Sequence, residues 1–253
     1  MHHTEGWLNA PQRDTPEFDA QVKTVCDLYA AAPTLHAQGV HVISTDEKTG
    51  IQALERAAPT KPAQPSRDGQ AGRCAREEYE YIRHGTQCLI ANHEVATGQQ
   101  IAPTIGETRT EEDFVKHIEQ TVATDAAGHW IFIADQLNTH QSEGLVRWVA
   151  QQIGETQDLG EKEKRGILQS MATRAAYLSE PTHRIRFVYT PKHCSWLNQI
   201  ELWFSILVRR LLKRGSFPSK EELRARILAF IEYFNATLAK PFKWTYKGRP
   251  LQV

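Results

Sequence analysis

The chain has 253 residues, and its 30 Lys plus Arg balance its 30 Asp plus Glu, so the formal net charge is zero with neutral histidines. This balance argues against a free-standing nucleic-acid-binding module, which is normally basic overall, but it allows a local basic surface. The composition, 40% hydrophobic and 24% charged, is that of a globular protein with a sizeable core, and no apolar stretch approaches the length of a membrane span.

The cysteines and the first residues indicate the compartment. No two cysteines have a Cys-x-x-Cys spacing, so their spacing indicates neither a zinc site nor a disulfide framework. The cysteines are Cys26, Cys74, Cys88 and Cys194. We expect reduced thiols in an intracellular protein. The first 14 residues, MHHTEGWLNAPQRD, contain no apolar segment and are not a signal peptide.

The first half of the chain is predicted to form a helix and then a meander of strands. Residues 15–31 carry apolar side chains at helical spacing, with Thr15 as the N-cap. Residues 57–73 contain three prolines and two glycines, which predicts a long surface loop. We expect the first strand to end at Asp46. The predicted strands are VHVIST (40–45), EEYEYIR (77–83) and TQCLIANHEV (86–95), with a further strand after a turn at Thr97-Gly98.

The second half is predicted to alternate helices and strands. Residues 129–135, HWIFIAD, are apolar on both faces, which is typical of a central strand covered on both sides. A second strand is expected at 184–190. Helices are expected at 110–122, 141–153, 160–178, from near Ser195 to about Arg214, and at 219–237. This order predicts a mixed α/β domain with helices on both faces of its sheet.

One carboxylate stands on the apolar face of the helix expected to begin near Ser195. At about 100° per residue, Glu201 lies inside the apolar stripe, near its edge. The stripe consists of Leu197, Ile200, Phe204, Val208 and Leu211. A buried, unpaired carboxylate is costly, so such groups are usually paired, hydrogen-bonded or bound to a cation. The periodicity leaves two interpretations open: an ion pair at the rim of the core, or a functional carboxylate.

Two aspartates follow predicted strands. Asp46 comes directly after VHVIST, and Asp135 ends HWIFIAD. Ligands of open α/β sheets gather at the carboxyl ends of strands, where Glu201 would complete a group of three acids. Carboxylate oxygens are hard ligands that suit Mg²⁺ or Mn²⁺. Because an aspartate after a strand is more often a turn or cap residue, the predicted metal site depends on the three acids occurring together.

Several segments of the sequence resemble the DDE transposases of bacterial insertion sequences, in the six-thirty family of the mariner superfamily. The segments are STDEKTGIQALER, EYEYIRHGTQCLIA, IFIADQLNTH, YTPKHCSWLNQIELWFSIL and AKPFKWT. The resemblance runs from about Trp7 to the C-terminus. It implies a ribonuclease-H-like fold of the integrase and transposase catalytic core, with a mixed five-stranded sheet and helices on both faces.

The resemblance also implies a chemistry. Asp46, Asp135 and Glu201 match the catalytic, metal-binding acids, which would hold two Mg²⁺ or Mn²⁺ ions. The implied reaction is cleavage of DNA at insertion-sequence ends, followed by attack of the freed 3′-hydroxyl on target DNA. Three further residues are expected to support the site. They are Gln136, where the family usually has asparagine, His140, whose alternative is an ordinary helix-start histidine, and Asn198.

The sequence departs from the family pattern in its organisation. Asp135 and Glu201 are 66 positions apart, longer than the common mariner spacing, and we assign the excess to a helical insertion at about 154–181. No helix-turn-helix domain fits before Trp7. The expected domains are a helical lead-in at 1–36 that is a remnant of a linker, a catalytic domain at 37–238 and a tail at 239–253. The expected partners are DNA, a second copy in a homodimer and a separate helix-turn-helix chain, in a prokaryotic cytoplasm near the nucleoid.

Basic residues are candidates for DNA contact. The candidates are Lys192, His193, Arg209, Arg210, Lys213 and Arg214. Phosphate contact is one interpretation, and a solvated helix end that favours cations is the other. Trp196 and Trp203 are predicted to serve packing rather than base stacking.

Three functions are open at the level of sequence. The first is an active transposase catalytic domain. The second is a catalytically silent, truncated transposase that dimerises with or regulates a full-length one. The third is an unrelated Mg²⁺ phosphohydrolase, which is disfavoured because no Asp-x-Asp motif lies near Asp46.

Overall fold

A mixed five-stranded sheet forms the centre of the protein. The structure, a computed structural model, describes residues 15–67 and 69–246; the predicted lead-in before Thr15 and the end of the predicted tail lie outside these residues. In the sheet, the strand order is β3-β2-β1-β4-β7, and β5 and β6 form a separate small hairpin. The strands are β1 (Val40–Arg56), β2 (Tyr81–Glu94), β3 (Thr104–Gly106), β4 (His129–Ala134), β5 (Gly160–Glu161), β6 (Arg165–Gly166) and β7 (Ile185–Tyr189).

Strand direction changes across the sheet. The pairs β1–β2 and β2–β3 are antiparallel, whereas β1–β4 and β4–β7 are parallel. Parallel neighbours bring their carboxyl ends to one edge, and this edge of β1, β4 and β7 is where the sequence places its candidate acids.

Six α-helices surround the sheet within the described residues, and side chains cap the starts of most of them. They are α1 (Pro16–His36), α2 (Glu111–Val122), α3 (Glu143–Gln152), α4 (Met171–Leu178), α5 (Ile200–Arg210) and α6 (Lys220–Thr237). Thr15 accepts a hydrogen bond from the Phe18 amide, as its predicted N-cap role requires. The start of α2 is fixed by a full capping box of Thr110 and Asp113. None of the helices in residues 15–67 and 69–246 has the length and apolar character needed to cross a lipid bilayer.

The helices cover both faces of the sheet, as predicted. Ile43, Phe132 and Phe187 pack with buried residues of α2, α3 and α4. The alternate residues Val42 and Ile133 pack against α1, and since successive strand residues point to opposite faces, α1 lies on the other side. Helices α5 and α6 join α1 on that side by packing over β2. The candidate edge is therefore flanked by helices above and below.

The first strand is longer than predicted. It continues from Asp46 to Arg56 because β2 pairs with it through this polar stretch, so the prediction that Asp46 ends a strand is wrong. Its parallel pairing with β4 does stop at Ser44, two residues before Asp46. The two predicted strands at 77–83 and 86–95 are one strand, β2, which passes Gly85 at a φ of 100°.

The segment assigned to a helical insertion is only partly helical. Its first half is the β5–β6 hairpin, whose close approach depends on Gly160 and Gly166 in the left-handed region at φ values of 90° and 73°. Its second half contains a short 3-10 turn at Ile167–Gln169 and the α-helix α4. Leu168 and Leu178 are fully buried in the core, so this segment also packs beneath α3 rather than lying wholly on the surface.

The predicted surface loop is an extended arm between β1 and β2. Backbone hydrogen bonds join Lys61 to Arg76 and Gln64 to Arg73 in both directions, so the arm is a narrow antiparallel ribbon. Every described side chain from 59 to 77 is exposed. Among the described residues, the arm therefore has no apolar packing of its own.

Candidate catalytic centre

Asp46 and Asp135 lie side by side at the edge of the sheet. In the parallel pairing of β1 and β4, Ser44 is opposite Ile133, so two residues further the same register places Asp46 beside Asp135. Asp46 is still within β1, opposite Ala91 of β2, whereas Asp135 directly follows β4. Both side chains are partly buried. The sheet thus brings together two carboxylates that are 89 positions apart in the sequence.

Asp46 has two hydrogen-bond donors and no cation bonded to it among the described residues. Its Oδ1 accepts from the Glu47 amide at 2.8 Å, and its Oδ2 accepts from Asn198 Nδ2 at 3.3 Å. Burial, and then the negative charge of Asp135, raise the pKa of Asp46 to about 7. A bound cation would remove this repulsion and favour the ionised form.

Asp135 is held in its ionised form by a histidine. Its Oδ1 accepts from His140 Nδ1 at 2.8 Å and from the Leu137 amide at 3.0 Å. Burial acts to raise the pKa of Asp135, but the hydrogen bond and the positive charge of His140 outweigh it and bring the pKa below its usual value. The two neighbouring aspartates therefore differ in their protonation behaviour.

His140 bridges Asp135 to a second carboxylate that sequence reasoning did not find. His140 is fully buried, and its Nε2 lies 3.0 Å from Oε1 of Glu47, whose side chain is 2% exposed. Burial acts to lower the pKa of His140, but the hydrogen bonds to Asp135 and Glu47 raise it to about 10, so the ring is an imidazolium. Glu47 follows Asp46 on β1, so the alternation of a strand sends it to the opposite face.

The loop before α5 is fastened to β1 next to Asp46. Ser44 Oγ donates to Asn198 Oδ1 and accepts from the Ile200 amide at 2.9 Å. Asn198 Nδ2 also donates to the Thr45 carbonyl at 3.0 Å. Asn198 is 1% exposed, so water does not compete for these bonds. These hydrogen bonds fix the position of the start of α5 relative to β1. Glu201 lies in the first turn of α5.

Glu201 lies three residues after Asn198, in the first turn of α5. It is partly buried, and within the described residues its carboxylate has no hydrogen bond or ion pair. Among these residues, the side-chain oxygens of Asp46, Asp135 and Glu201 do not all lie within 4.8 Å of one another. A single ion would need closer ligands, whereas two ions about 4 Å apart would span a wider group.

A match to a protein-family sequence profile identifies the family of this chain. The profile described as DDE superfamily endonuclease matches residues 42–224, which is most of the chain and includes all three acids. The chain belongs to the DDE superfamily endonucleases.

Solved structures confirm the fold of this family member. A Mos1 transposase paired-end complex with left transposon end has a TM-score of 0.50 and 12% identity, and a Mos1 mariner paired-end complex with Mn has a TM-score of 0.50 and 13% identity. The match covers 96% of this chain in both cases, but only 61% and 62% of the Mos1 chains. At this identity the likeness establishes the shared ribonuclease-H-like fold. No curated protein matches the sequence.

Gln136 directly follows Asp135 in sequence, and its side chain links two segments at the end of the sheet. Its Nε2 donates to the Thr190 carbonyl at 2.9 Å, which links the residues that follow β4 and β7. The longer amide therefore reaches across the edge to the neighbouring strand.

The basic candidates lie at the two ends of α5. Lys192 and His193 occupy an exposed turn before it, and His193 has a left-handed φ of 61°. The other four are exposed at or just after its C-terminal end, and none of them forms an ion pair with an acid in the part of the chain that the structure describes. They are Arg209, Arg210, Lys213 and Arg214.

The two tryptophans of this region differ. Trp203 is fully buried beside Phe234, which confirms its predicted packing role. Trp196 is 51% exposed, and its ring contacts the ring of Tyr246.

Proposed function

We propose that this DDE superfamily endonuclease is a transposase catalytic domain that cleaves DNA at transposon ends and joins the freed 3′ ends to target DNA. The observation that carries the proposal is that Asp46 and Asp135 lie side by side just beyond the last parallel pair of β1 and β4, inside the part of the chain that the family profile matches. The Mos1 structures of the same fold include complexes with a transposon end and with Mn, which supports DNA and a divalent cation as ligands here.

The donor set suits Mg²⁺ or Mn²⁺. Asp46, Asp135 and Glu201 offer only carboxylate oxygens, the ligands these ions prefer, and two of them place like charges next to each other. We propose that the three acids hold two such ions. Bound ions would lower the pKa of the attacking water and neutralise charge on the leaving oxygen.

The surrounding residues position these ligands. The His140 imidazolium and the Leu137 amide hold one oxygen of Asp135, which fixes the direction of the other. The side-chain amide of Asn198 donates to Asp46, and Ser44 donates to the side-chain oxygen of Asn198 and so fixes the amide orientation. Such hydrogen bonds keep ligands in a fixed orientation before a metal binds.

The basic ends of α5 fit a DNA path past the acids. The helix rises about 1.5 Å per residue, so Arg209 and Arg210 are displaced about 13 Å from Glu201 along the helix axis, which corresponds to about four base steps along the DNA axis. Because these side chains are exposed and unpaired within the described residues, they are free to contact phosphates. We propose that they and Lys192, His193, Lys213 and Arg214 do so. We also propose a homodimer on DNA, with a separate helix-turn-helix chain for end recognition.

A nicking assay tests the proposed reaction. The purified chain is incubated with supercoiled plasmid DNA and Mn²⁺ or Mg²⁺, and open-circle product is measured. We expect nicking that falls by at least about 100-fold in Asp46→Asn and in Asp135→Asn, the size of effect typical for loss of transition-state charge stabilisation. Glu55→Gln, an acid on the same strand outside the site, is the matched control and should retain full activity. A folded wild-type protein that nicks no DNA with any divalent ion contradicts the proposal.

A second candidate is a catalytically silent domain that binds an active transposase. Among the described residues, the side-chain oxygens of Asp46, Asp135 and Glu201 do not form a group within 4.8 Å, which favours it. It predicts a stable fold without nicking and co-elution with a full-length transposase in size-exclusion chromatography. The nicking assay therefore separates the two candidates.

A further inference from the structure

Two histidines and a buried glutamate meet at the end of the sheet opposite the catalytic acids. His36 ends α1, His41 lies near the start of β1, and Glu94 ends β2. One oxygen of Glu94, Oε1, lies 2.6 Å from His41 Nδ1 and 3.4 Å from His36 Nε2. The three ligand atoms all lie within 4.8 Å of one another, the one such group of three among residues 15–67 and 69–246. The side chain of Glu94 is only 4% exposed.

Two further residues orient these side chains. Asp125 Oδ2 lies 3.1 Å from His41 Nε2, so the outer ring nitrogen of His41 faces a carboxylate and the inner one, Nδ1, faces Glu94. Thr97 Oγ1 donates to Glu94 Oε2 at 2.8 Å, which leaves Oε1 directed at the histidines. A carboxylate on the far nitrogen of a histidine and a donor on the far oxygen of a carboxylate are characteristic supports of metal ligands.

We propose that His36 Nε2, His41 Nδ1 and Glu94 Oε1 bind a Zn²⁺ ion. Ligand atoms about 2.0–2.1 Å from tetrahedral zinc lie about 3.3 Å apart, close to the 3.4 Å between His36 and Glu94. His41 and Glu94 would separate by less than about 1 Å as the ion replaces the proton between them. Imidazole nitrogen suits zinc and the other late first-row ions, whereas Mg²⁺ prefers an all-oxygen shell.

This site is distinct from the catalytic acids. His41 and Asp46 lie on the same strand five residues apart, which corresponds to about 16 Å at the strand rise of about 3.3 Å per residue. The ion would join the ends of α1, β1 and β2, so it would stabilise the folded state by mass action. With three protein ligands, the fourth position is left for water, and the 39% exposed side chain of His36 gives access.

Zinc binding is measured on the metal-free protein by equilibrium dialysis and by thermal unfolding with added ZnCl₂ or MgCl₂. The Asp46→Asn/Asp135→Asn double variant is used as the background, because it removes the carboxylate centre as a competing site. We expect one equivalent of bound Zn²⁺ and a higher unfolding temperature with zinc but not with magnesium. Failure to bind a saturable equivalent in this folded background overturns the proposal. The result does not depend on nicking activity.

Variants then assign the ligands. His36→Ala, at an accessible helix end, should lose the bound equivalent and the temperature shift. His84→Ala is the matched control, because His84 also contacts a glutamate, Glu55 at 2.8 Å, but has no third ligand within the described residues. This variant should bind zinc as the background does. Asp125→Asn should weaken zinc affinity by about 10- to 100-fold, the usual effect of losing a carboxylate behind a ligand histidine. Zinc retained by His36→Ala, or unchanged affinity in Asp125→Asn, overturns the assignment.

Discussion

His140 is the residue on which the electrostatics of the candidate catalytic centre depend. It is fully buried and touches Asp135 through one ring nitrogen and Glu47 through the other. Its backbone carbonyl accepts a hydrogen bond from Tyr189 Oη at 2.8 Å, and its ring packs on Phe114. The imidazolium is therefore part of the packed core and also contacts the candidate site. Its positive charge pairs with the carboxylates of both Asp135 and Glu47.

We predict that His140→Asn destabilises the fold as well as reducing activity. The change leaves the carboxylate of Glu47 buried without its cation, and breaking a buried charge pair on one side costs about 3–5 kcal/mol. Urea unfolding measures the loss. The exposed His129→Asn on β4 is the control and should change the unfolding free energy by less than about 0.5 kcal/mol. If His140→Asn lowers the unfolding free energy by no more than the control does, then burial of the Glu47 carboxylate does not depend on the charge of His140.

Sequence reasoning placed Asp46, Asp135, His140 and Asn198 near one another, but it did not find Glu47 or Ser44. Glu47 directly follows Asp46, so the sequence alone does not distinguish the roles of the two acids. In the structure, the alternation of the strand places the Glu47 side chain on the opposite face from Asp46. Nothing in the local sequence distinguishes Ser44 from other strand residues. Its role depends on the hydrogen bond with Asn198, which is 154 positions away. Contacts of this length depend on the packing of α5 on the sheet and leave no local signal.

At the scale of elements, β2 carries an ionisable group that the core keeps neutral. His93 is fully buried, accepts a hydrogen bond on Nδ1 from Gln100 Nε2 at 2.9 Å and packs on the ring of Phe242. Burial lowers the pKa of His93 to about 3. On α2, burial and then the charge of His140 lower the pKa of His117 to about 3 as well.

We predict that stability falls as the pH falls below about 6.5, the pKa of an unfolded histidine. In this range the unfolded chain binds protons that the folded chain excludes, so each such histidine costs up to about 1.4 kcal/mol per pH unit down to the folded pKa near 3. The measurement is urea unfolding at pH 7, 6 and 5. His93→Asn should reduce the slope, with exposed His129→Asn as the control. An equal slope in His93→Asn and wild type would contradict the prediction.

The elements with strong local signals were predicted closely. Helix α2 was expected at 110–122 and spans Glu111–Val122, since its capping box and amphipathic spacing agree. Strand β4 was expected at 129–135 and spans His129–Ala134 because a short run apolar on both faces has few alternatives. The continuation of β1 past Asp46 was missed because Asp-Glu-Lys-Thr has no strand signal, and pairing with β2 overrides that local preference.

At the scale of the whole molecule, the arm between β1 and β2 stands apart from the packed body. It is held by a few backbone bridges and has no buried side chain among the described residues 59–77, whereas β1 and β2 themselves pair along most of their length. Segments with exposed backbone hydrogen bonds and no apolar packing open at low free energy.

We predict that trypsin first cuts this arm, after Arg67, Arg73 or Arg76, while the body of the protein stays folded. The two fragments should co-elute in size-exclusion chromatography under native conditions, because β1 and β2 remain paired, and separate in denaturant. Mass spectrometry identifies the cut. Arg174, which is 7% exposed and bonded to backbone carbonyls, serves as the internal control and should be cut only after unfolding. Early cleavage at Arg174 would contradict the described packing.

If the proposed reaction uses Asp46, the neighbouring acids Asp46 and Glu47 make the alignment of β1 a requirement for it. A single-residue deletion between Val40 and Ser44 would shift the strand by one place and exchange its two faces, so that Asp46 would point towards His140 and Glu47 towards the face that Asp46 now occupies. Both side chains would still be acidic, and net charge would be unchanged. Mutational scanning by insertion and deletion would therefore find this short stretch intolerant, even where point substitutions are accepted.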